Sequence, residues 1–280
     1  MPPAKKPRGE VTRGTTAPNR LRRVDRWIAA TQTGPLRAGA RPLAVDLGYG
    51  ASPVTTFELY TRLRAVAPRL EVVGIEIEPE RVAAGHALLA ALREPGRPPG
   101  AYEGLSFRRG GFELPVPRPP ALVRAFNVLR QYDEPAAWRA WDDLRARLAP
   151  SGVLVEGTCD EIGRRAVWAT LTEDGPQTIT FAAHLGSLDR PSALAERLPK
   201  TLIYRNVPGE PVHALLTAFD RCWATAAPHS AFGPRARWVE AVSLLAQTHP
   251  VLTRPPYGGR NRWRVGEVTL PWTAVDPYSR

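Results

Sequence analysis

The densest chemical signal in the chain is the run Asp46-Leu47-Gly48-Tyr49-Gly50-Ala51-Ser52-Pro53. Glycines at 48 and 50 permit a sharp turn and let a ligand come against the backbone, where free amide donors and a helix N-terminus attract polar or anionic groups. A dinucleotide fingerprint would add a third glycine, but Pro53 stands there, and Asp46 sits two positions before Gly48. A carboxylate at that point suits a ligand carrying an ammonium group better than a pyrophosphate. Thirty residues after Asp46, the run Gly74-Ile75-Glu76-Ile77-Glu78 brings a second acidic group. At the carboxyl end of a strand, Glu76 can accept hydrogen bonds from both hydroxyls of a ribose, whereas Glu78, next to Pro79, fits a helix cap.

Both runs need strands that deliver them to one edge. PLAVDLG reads as a buried parallel strand, and after it Ser52 caps a helix carrying Phe57, Tyr60 and Leu63. LEVVGIEIE is a second strand, and the helix from Pro79 presents Val82, Leu89 and Leu92 before the breaker REPGRPPG. LSFRR and ALVRAFNVL are further strands. Asp133 caps a helix holding Trp138, Trp141, Leu144 and Leu148, and GVLVEGT is the fifth strand. The alternation predicts an α/β fold with a doubly wound, mostly parallel sheet. After residue 158 the pattern changes: a hairpin turns at Glu173-Asp174-Gly175-Pro176, two amphipathic helices follow, and RWRVGEVTLPW closes with a strand. The expected organisation is a disordered basic arm over 1–20, an N-terminal helical segment over 21–40, an α/β core over 41–158, and a C-terminal part over 159–280 that completes the sheet.

VDLGYG, VVGIEIEPERV, the GGFELP segment and the FNVL strand together resemble the class I S-adenosylmethionine-dependent methyltransferases, over residues 41–158. The resemblance implies a Rossmann-like core and transfer of the sulfonium methyl group to an acceptor, with S-adenosylmethionine as the cofactor. It places Gly48, Tyr49 and Gly50 along the methionine part, Asp46 near the amino group, and Glu76 with Ile77 at the ribose. Many family members carry Gly-Asp in the third segment, the Asp facing the adenine amine; here the pair is Gly110-Gly111, which leaves adenine to the backbone of Gly111 and to Phe112. Asn127 would touch cofactor or substrate, or else tie adjacent strand ends. Asn127, Tyr132 and Glu156, with Asp160, are the candidates for catalytic groups, and the spacing does not choose among them. Lys200, Arg205, Asn206 and Glu210 are candidates for the acceptor pocket.

The net charge is +11, with 38 basic and 27 acidic residues, and residues 1–27 hold eight basic and two acidic side chains. That concentration suggests a nucleic-acid acceptor reached through the arm, against a small-molecule acceptor or a module that binds without catalysis. Cys159 and Cys222 lie far apart and the five histidines form no ligand pair, so neither a disulfide framework nor a metal site is expected. No apolar run approaches a membrane span, and the first residues lack the apolar stretch of a secretory signal, so the expectation is cytoplasmic. Arg254-Pro255-Pro256-Tyr257 imitates the Pro-Pro-Tyr motif of amino-methylating nucleic-acid enzymes. Arg254, however, cannot accept the hydrogen bond that chemistry requires.

Overall fold

The computed structural model describes residues 6–94 and 102–278; residues 1–5 of the expected arm and most of the REPGRPPG breaker lie outside this range. In chain order the regular elements are α1 (Arg22–Thr31), α2 (Thr33–Arg37), β1 (Leu43–Leu47), α3 (Val54–Arg64), β2 (Glu71–Glu76), α4 (Pro79–Leu92), β3 (Leu105–Arg109), β4 (Leu122–Phe126), α5 (Glu134–Arg145) and β5 (Val153–Cys159). Beyond the core come β6 (Arg165–Thr172), β7 (Gly175–Ala183), α6 (Lys200–Ile203), α7 (Pro211–Thr225), α8 (Pro234–Leu245), α9 (Arg260–Trp263) and β8 (Glu267–Pro271). Asp133 caps α5 as its sequence implies, its carboxylate accepting from the Ala136 amide at 2.7 Å. Ser52 lies one position outside the observed start of α3, with its Oγ 3.4 Å from the Val54 amide.

All eight strands form one sheet, in the order β3-β2-β1-β4-β5-β6-β7-β8. The first five pair in parallel; β6, β7 and β8 add antiparallel. This is the doubly wound α/β sheet with the expected hairpin, and it fixes the topology beyond residue 158: β5 runs directly into the hairpin with no crossover helix. Strands β1, β4 and β5 are buried along their whole length because helices cover both faces. On one face α5, α7 and α8 pack around Trp141, Phe219 and Trp238; on the other α1, α3 and α4 pack around Trp27, Leu59 and Leu89. The winding of the sheet reverses between the parallel strands β1 and β4, which opens a crevice at their carboxyl ends.

One expectation needs correction. Residues 6–20 contain no helix or strand, yet they do not hang free. They run as a strap across the carboxyl ends of β1, β2 and β4. The Arg8 carbonyl accepts from the Phe112 amide at 2.9 Å, and the Gly14 carbonyl accepts from the Ala51 amide at 2.8 Å. Arg81 donates to the Thr12 carbonyl at 3.0 Å, and Gln131 donates to the Glu10 carbonyl at 3.0 Å. Backbone partners recruited at four separate points hold a segment that composition alone marks as disordered.

Among the described residues no helix is long and apolar enough to cross a membrane, and no group of three or more His, Cys, Asp or Glu is placed to hold a metal ion. Cys159 is buried, Cys222 is half-buried, and the two are not bonded.

Candidate functional site

The turn after β1 has the geometry its glycines allow. Gly48 and Gly50 both adopt positive φ, +67° and +84°, and the Gly48 amide closes the turn on the Ile75 carbonyl at 2.8 Å. A side chain at Gly48 would meet Val128, and one at Gly50 would meet the Gly14 carbonyl oxygen at 2.9 Å. At the end of β2, Glu76 is 2% exposed and joins the two halves of the site. Its carboxylate accepts from the Gly50 amide at 2.9 Å and from the Ile77 amide at 2.8 Å, with Arg81 at 3.4 Å. Oε1 thus takes only the Ile77 amide and keeps a lone pair for a hydroxyl, whereas Oε2 is shared between the Gly50 amide and Arg81.

Asp46 stands in the wall of the same crevice, but its carboxylate does not face a ligand. Arg124, fully buried in β4, donates to its Oδ1 at 2.9 Å and ion-pairs with its Oδ2 at 2.7 Å, and Thr56 donates to Oδ2 at 2.7 Å. The same guanidinium reaches Asp25 of α1, which Arg62 also pairs at 2.7 Å. Asp46, which the resemblance puts near an amino group, has its charge met within the fold by a buried Arg124 that the apolar context of ALVRAF could not leave unpaired.

Two cavities open along the strand ends. One, of about 320 Å³, is lined by Gly48, Tyr49, Gly50, Thr55, Phe126, Asn127 and Cys159, with arginines 13, 20, 130 and 197 around it. The second is only about 10 Å³ and is bounded by Glu76, Ile77, Gly111, Phe112, Val128 and Tyr132 on the sheet side and by residues 8–12 of the strap on the other. Glu76, Ile77, Gly111 and Phe112, which the resemblance assigns to the adenosine, come together there, and the strap fills the space between them. A side chain at Gly111 would collide with the Arg8 carbonyl, so this glycine serves the strap. Phe112 packs on Tyr132 with centroids 5.6 Å apart, and the Tyr132 hydroxyl accepts the Glu10 amide.

The remaining candidates divide. Tyr49 contributes backbone to the site; its ring is buried edge-on against Phe107 and its hydroxyl donates to the Arg81 carbonyl at 2.9 Å. Asn127, at φ +60°, lines the larger cavity, but its amide accepts from the Cys159 backbone at 3.1 Å and lies 3.3 Å from the Cys159 sulfur, tying β4 to β5. Glu156 is not at the site: it points into the opposite core against Trp141, and burial pushes its carboxyl up to about 8. Asp160 accepts from the Arg164 and Arg165 amides at 2.8 and 3.0 Å and holds the β5–β6 turn. Burial raises the Tyr132 phenol above its ordinary range, so it is no base at neutral pH.

Lys200, Arg205, Asn206 and Glu210 line neither cavity; Arg205 ion-pairs with Glu134 and Glu210 as a structural connection. Tyr257 of the Pro-Pro-Tyr run packs on Trp27 at 5.8 Å, away from the strand ends. Sequence reasoning missed Arg130 and Arg197, which carry no motif.

No protein-family model matches the chain, and no curated protein matches it. Among solved structures, magnesium protoporphyrin IX methyltransferase from Synechocystis is similar at TM-score 0.37 and 16% identity, over 50% of this chain and 54% of that one. N,N-8-amino-8-demethyl-D-riboflavin dimethyltransferase from Streptomyces davawensis gives 0.35 and 16%, over 49% and 36%. Human N-acetylserotonin methyltransferase gives 0.33 and 21%, over 50% and 35%. The chain thus spans between about a third and about half of these proteins.

Proposed function

We propose that this chain binds S-adenosylmethionine at the β1–β4 crevice and transfers its methyl group to a small-molecule acceptor. The observation that carries the reading is the bond between the Gly50 amide and Glu76 at 2.9 Å, which fuses a glycine turn and a buried acidic strand end into one site. The donors present suit the cofactor's parts: Glu76 for the ribose hydroxyls, Phe112 for the ring, the Gly48–Gly50 backbone for the methionine end. The volume fits at the methionine end, and fits at the adenosine end once residues 8–12 withdraw.

When bound, the cofactor supplies an electrophilic methyl group on sulfur. The protein's part is positioning and exclusion of water, because the candidate bases are committed elsewhere: Glu156 to the core, Tyr132 to Glu10, and Asp160 to a turn. An acceptor would enter the 320 Å³ cavity beside Asn127 and Cys159. That volume suits a small molecule.

A nucleic-acid acceptor is the second reading, and one feature favours it: a surface groove of about 530 Å³ lined by Arg22, Arg23, Arg26, Arg164 and Arg262. The arm itself gives it less support, since Arg8 pairs with Asp143, and the Arg20 side chain is folded onto the carbonyls of Thr15, Cys159 and Asp160. Titration calorimetry with S-adenosylhomocysteine tests the main reading. Binding by the native protein and its loss in Glu76→Ala are expected; equal binding by both would remove the site, and absence of binding by native protein would leave a methyltransferase-like module.

A further inference from the structure

The larger cavity is electrostatically one-sided. Arg13, Arg20, Arg130 and Arg197 line it, while the only acidic side chains on its wall are Asp46, neutralised by Arg124, and the exposed Glu161. Arg20 spends its donors on main-chain carbonyls. The others do not. Arg13 and Arg130 form no side-chain hydrogen bond or ion pair among the described residues. Arg197 is 16% exposed, its Nε is buried without a partner, and its closest carboxylate, Glu196, is 3.8 Å away.

Like charges brought together beneath a partly buried wall are costly, and an unpartnered buried N–H adds to that cost. The cost shows at Arg130, whose guanidinium is held below its ordinary range by burial and then by the nearby Arg197 and Arg20. An anion entering the cavity would offset that cost. Guanidinium groups match the planar, bidentate geometry of carboxylate and phosphate oxygens.

We propose that the 320 Å³ cavity takes a small acceptor bearing an oxyanion, a carboxylate or a phosphate, held by Arg130 and Arg197. Calling it the acceptor rests on the methyl-transfer reading; the anion site itself does not. Arg130 follows β4 and the Arg197 carbonyl accepts from Thr158 of β5 at 2.6 Å, which puts both with Asn127 and Cys159 on the β4–β5 part of the cavity wall. The anion would thus anchor the molecule while its nucleophile faces the turn.

The test uses the full chain, with 4-hydroxybenzoate and phenyl phosphate as anionic probes and 4-hydroxybenzyl alcohol as the neutral one. Calorimetry is run with and without saturating S-adenosylhomocysteine. The anionic probes are expected to bind about tenfold more tightly than the neutral one. Arg130→Gln, an exposed position whose change should not disturb folding, is expected to cut that preference to about threefold or less, and Arg197→Gln to do the same. Whichever of 4-hydroxybenzoate and phenyl phosphate binds more tightly identifies the oxyanion.

Equal affinity for neutral and anionic probes, or a preference intact in both variants, overturns the inference. So does a preference that vanishes once S-adenosylhomocysteine is bound, because the arginines would then serve the cofactor's own carboxylate. Tighter binding of a single-stranded RNA oligonucleotide than of either probe, lost in Arg130→Gln, would also overturn it in favour of a nucleic-acid site. If S-adenosylhomocysteine does not bind while the anionic preference persists, the methyl-transfer reading fails and the anion site stands.

Discussion

Arg124 of β4 holds Asp46 of β1 through a hydrogen bond at 2.9 Å and an ion-pair contact at 2.7 Å, and both side chains are shut off from solvent. With Asp25 on the far side of the same guanidinium, the pair pins α1 to the sheet directly behind the glycine turn. The acidic residue of the β1 motif is thereby a structural anchor for the backbone of the glycine turn.

Removing one member of a buried ion pair strands the other, which typically costs about 3–5 kcal/mol. Asp46→Asn and Asp25→Ala are both expected to destabilise the protein by amounts on that order in urea denaturation. S-adenosylhomocysteine affinity in the surviving folded fraction of Asp46→Asn should fall by less than about tenfold. A stable Asp46→Asn protein with no affinity would return Asp46 to the ligand.

The pattern of strands and helices was legible because parallel strands buried on both faces, such as LAVDL and GVLVEGT, leave unbroken apolar runs that end at Gly or Asp. Glu76 and the Gly48–Gly50 turn were legible for the same reason: they sit where those runs stop. The partners of Asp46 were not. Arg124 lies 78 residues away in sequence, and only the β1–β4 pairing, with Asp46 opposite Arg124, reveals the contact. Glu156 misled because strand ends alternate faces, and position 156 falls on the face turned to Trp141. The strap was illegible because main-chain groups hold it at Phe112 and Ala51, and such groups leave no compositional trace.

On the methyl-transfer reading, the adenosine end of the cofactor would take the volume that the strap fills beside Glu76, Gly111 and Phe112, so binding would displace residues 8–12. Deletion of residues 1–14 is expected to raise the apparent affinity for S-adenosylhomocysteine, by about the inverse of the fraction of molecules in which the strap is open. In the intact chain, saturating S-adenosylhomocysteine should speed tryptic cleavage after Arg8 and Arg13. Unchanged affinity together with unchanged cleavage would mean that the segment and the ligand coexist.

Nucleic acid should bind weakly. With Arg8 ion-paired to Asp143 and Arg20 buried against main-chain carbonyls, a single-stranded RNA or DNA oligonucleotide is expected to show a Kd no tighter than about 10⁻⁶ M at physiological salt, the non-specific range. Deleting residues 1–14 should leave it unchanged. Submicromolar binding, lost in Arg22→Gln or Arg26→Gln, would instead make the arginine groove the acceptor surface.

Glu156 gives stability a pH dependence of definite sign. Its folded pKa of about 8 lies above the ordinary 4.5, so between these values the native state holds a proton that the unfolded chain releases. Stability is therefore greatest at or below the unfolded value. It declines as pH rises through that window, by at most about 1.4 kcal/mol per unit, and the loss is complete above the folded pKa. Glu267 shifts in the same direction through burial and adds to the slope. Glu156→Gln keeps the shape and can still accept the Trp141 N–H bond, yet it has no proton to lose. Its Tm should change less than that of the native protein between pH 5.5 and 8, and at pH 8 it should be the more stable of the two. A native Tm that rises across that interval would place Glu156 ionised in the folded state.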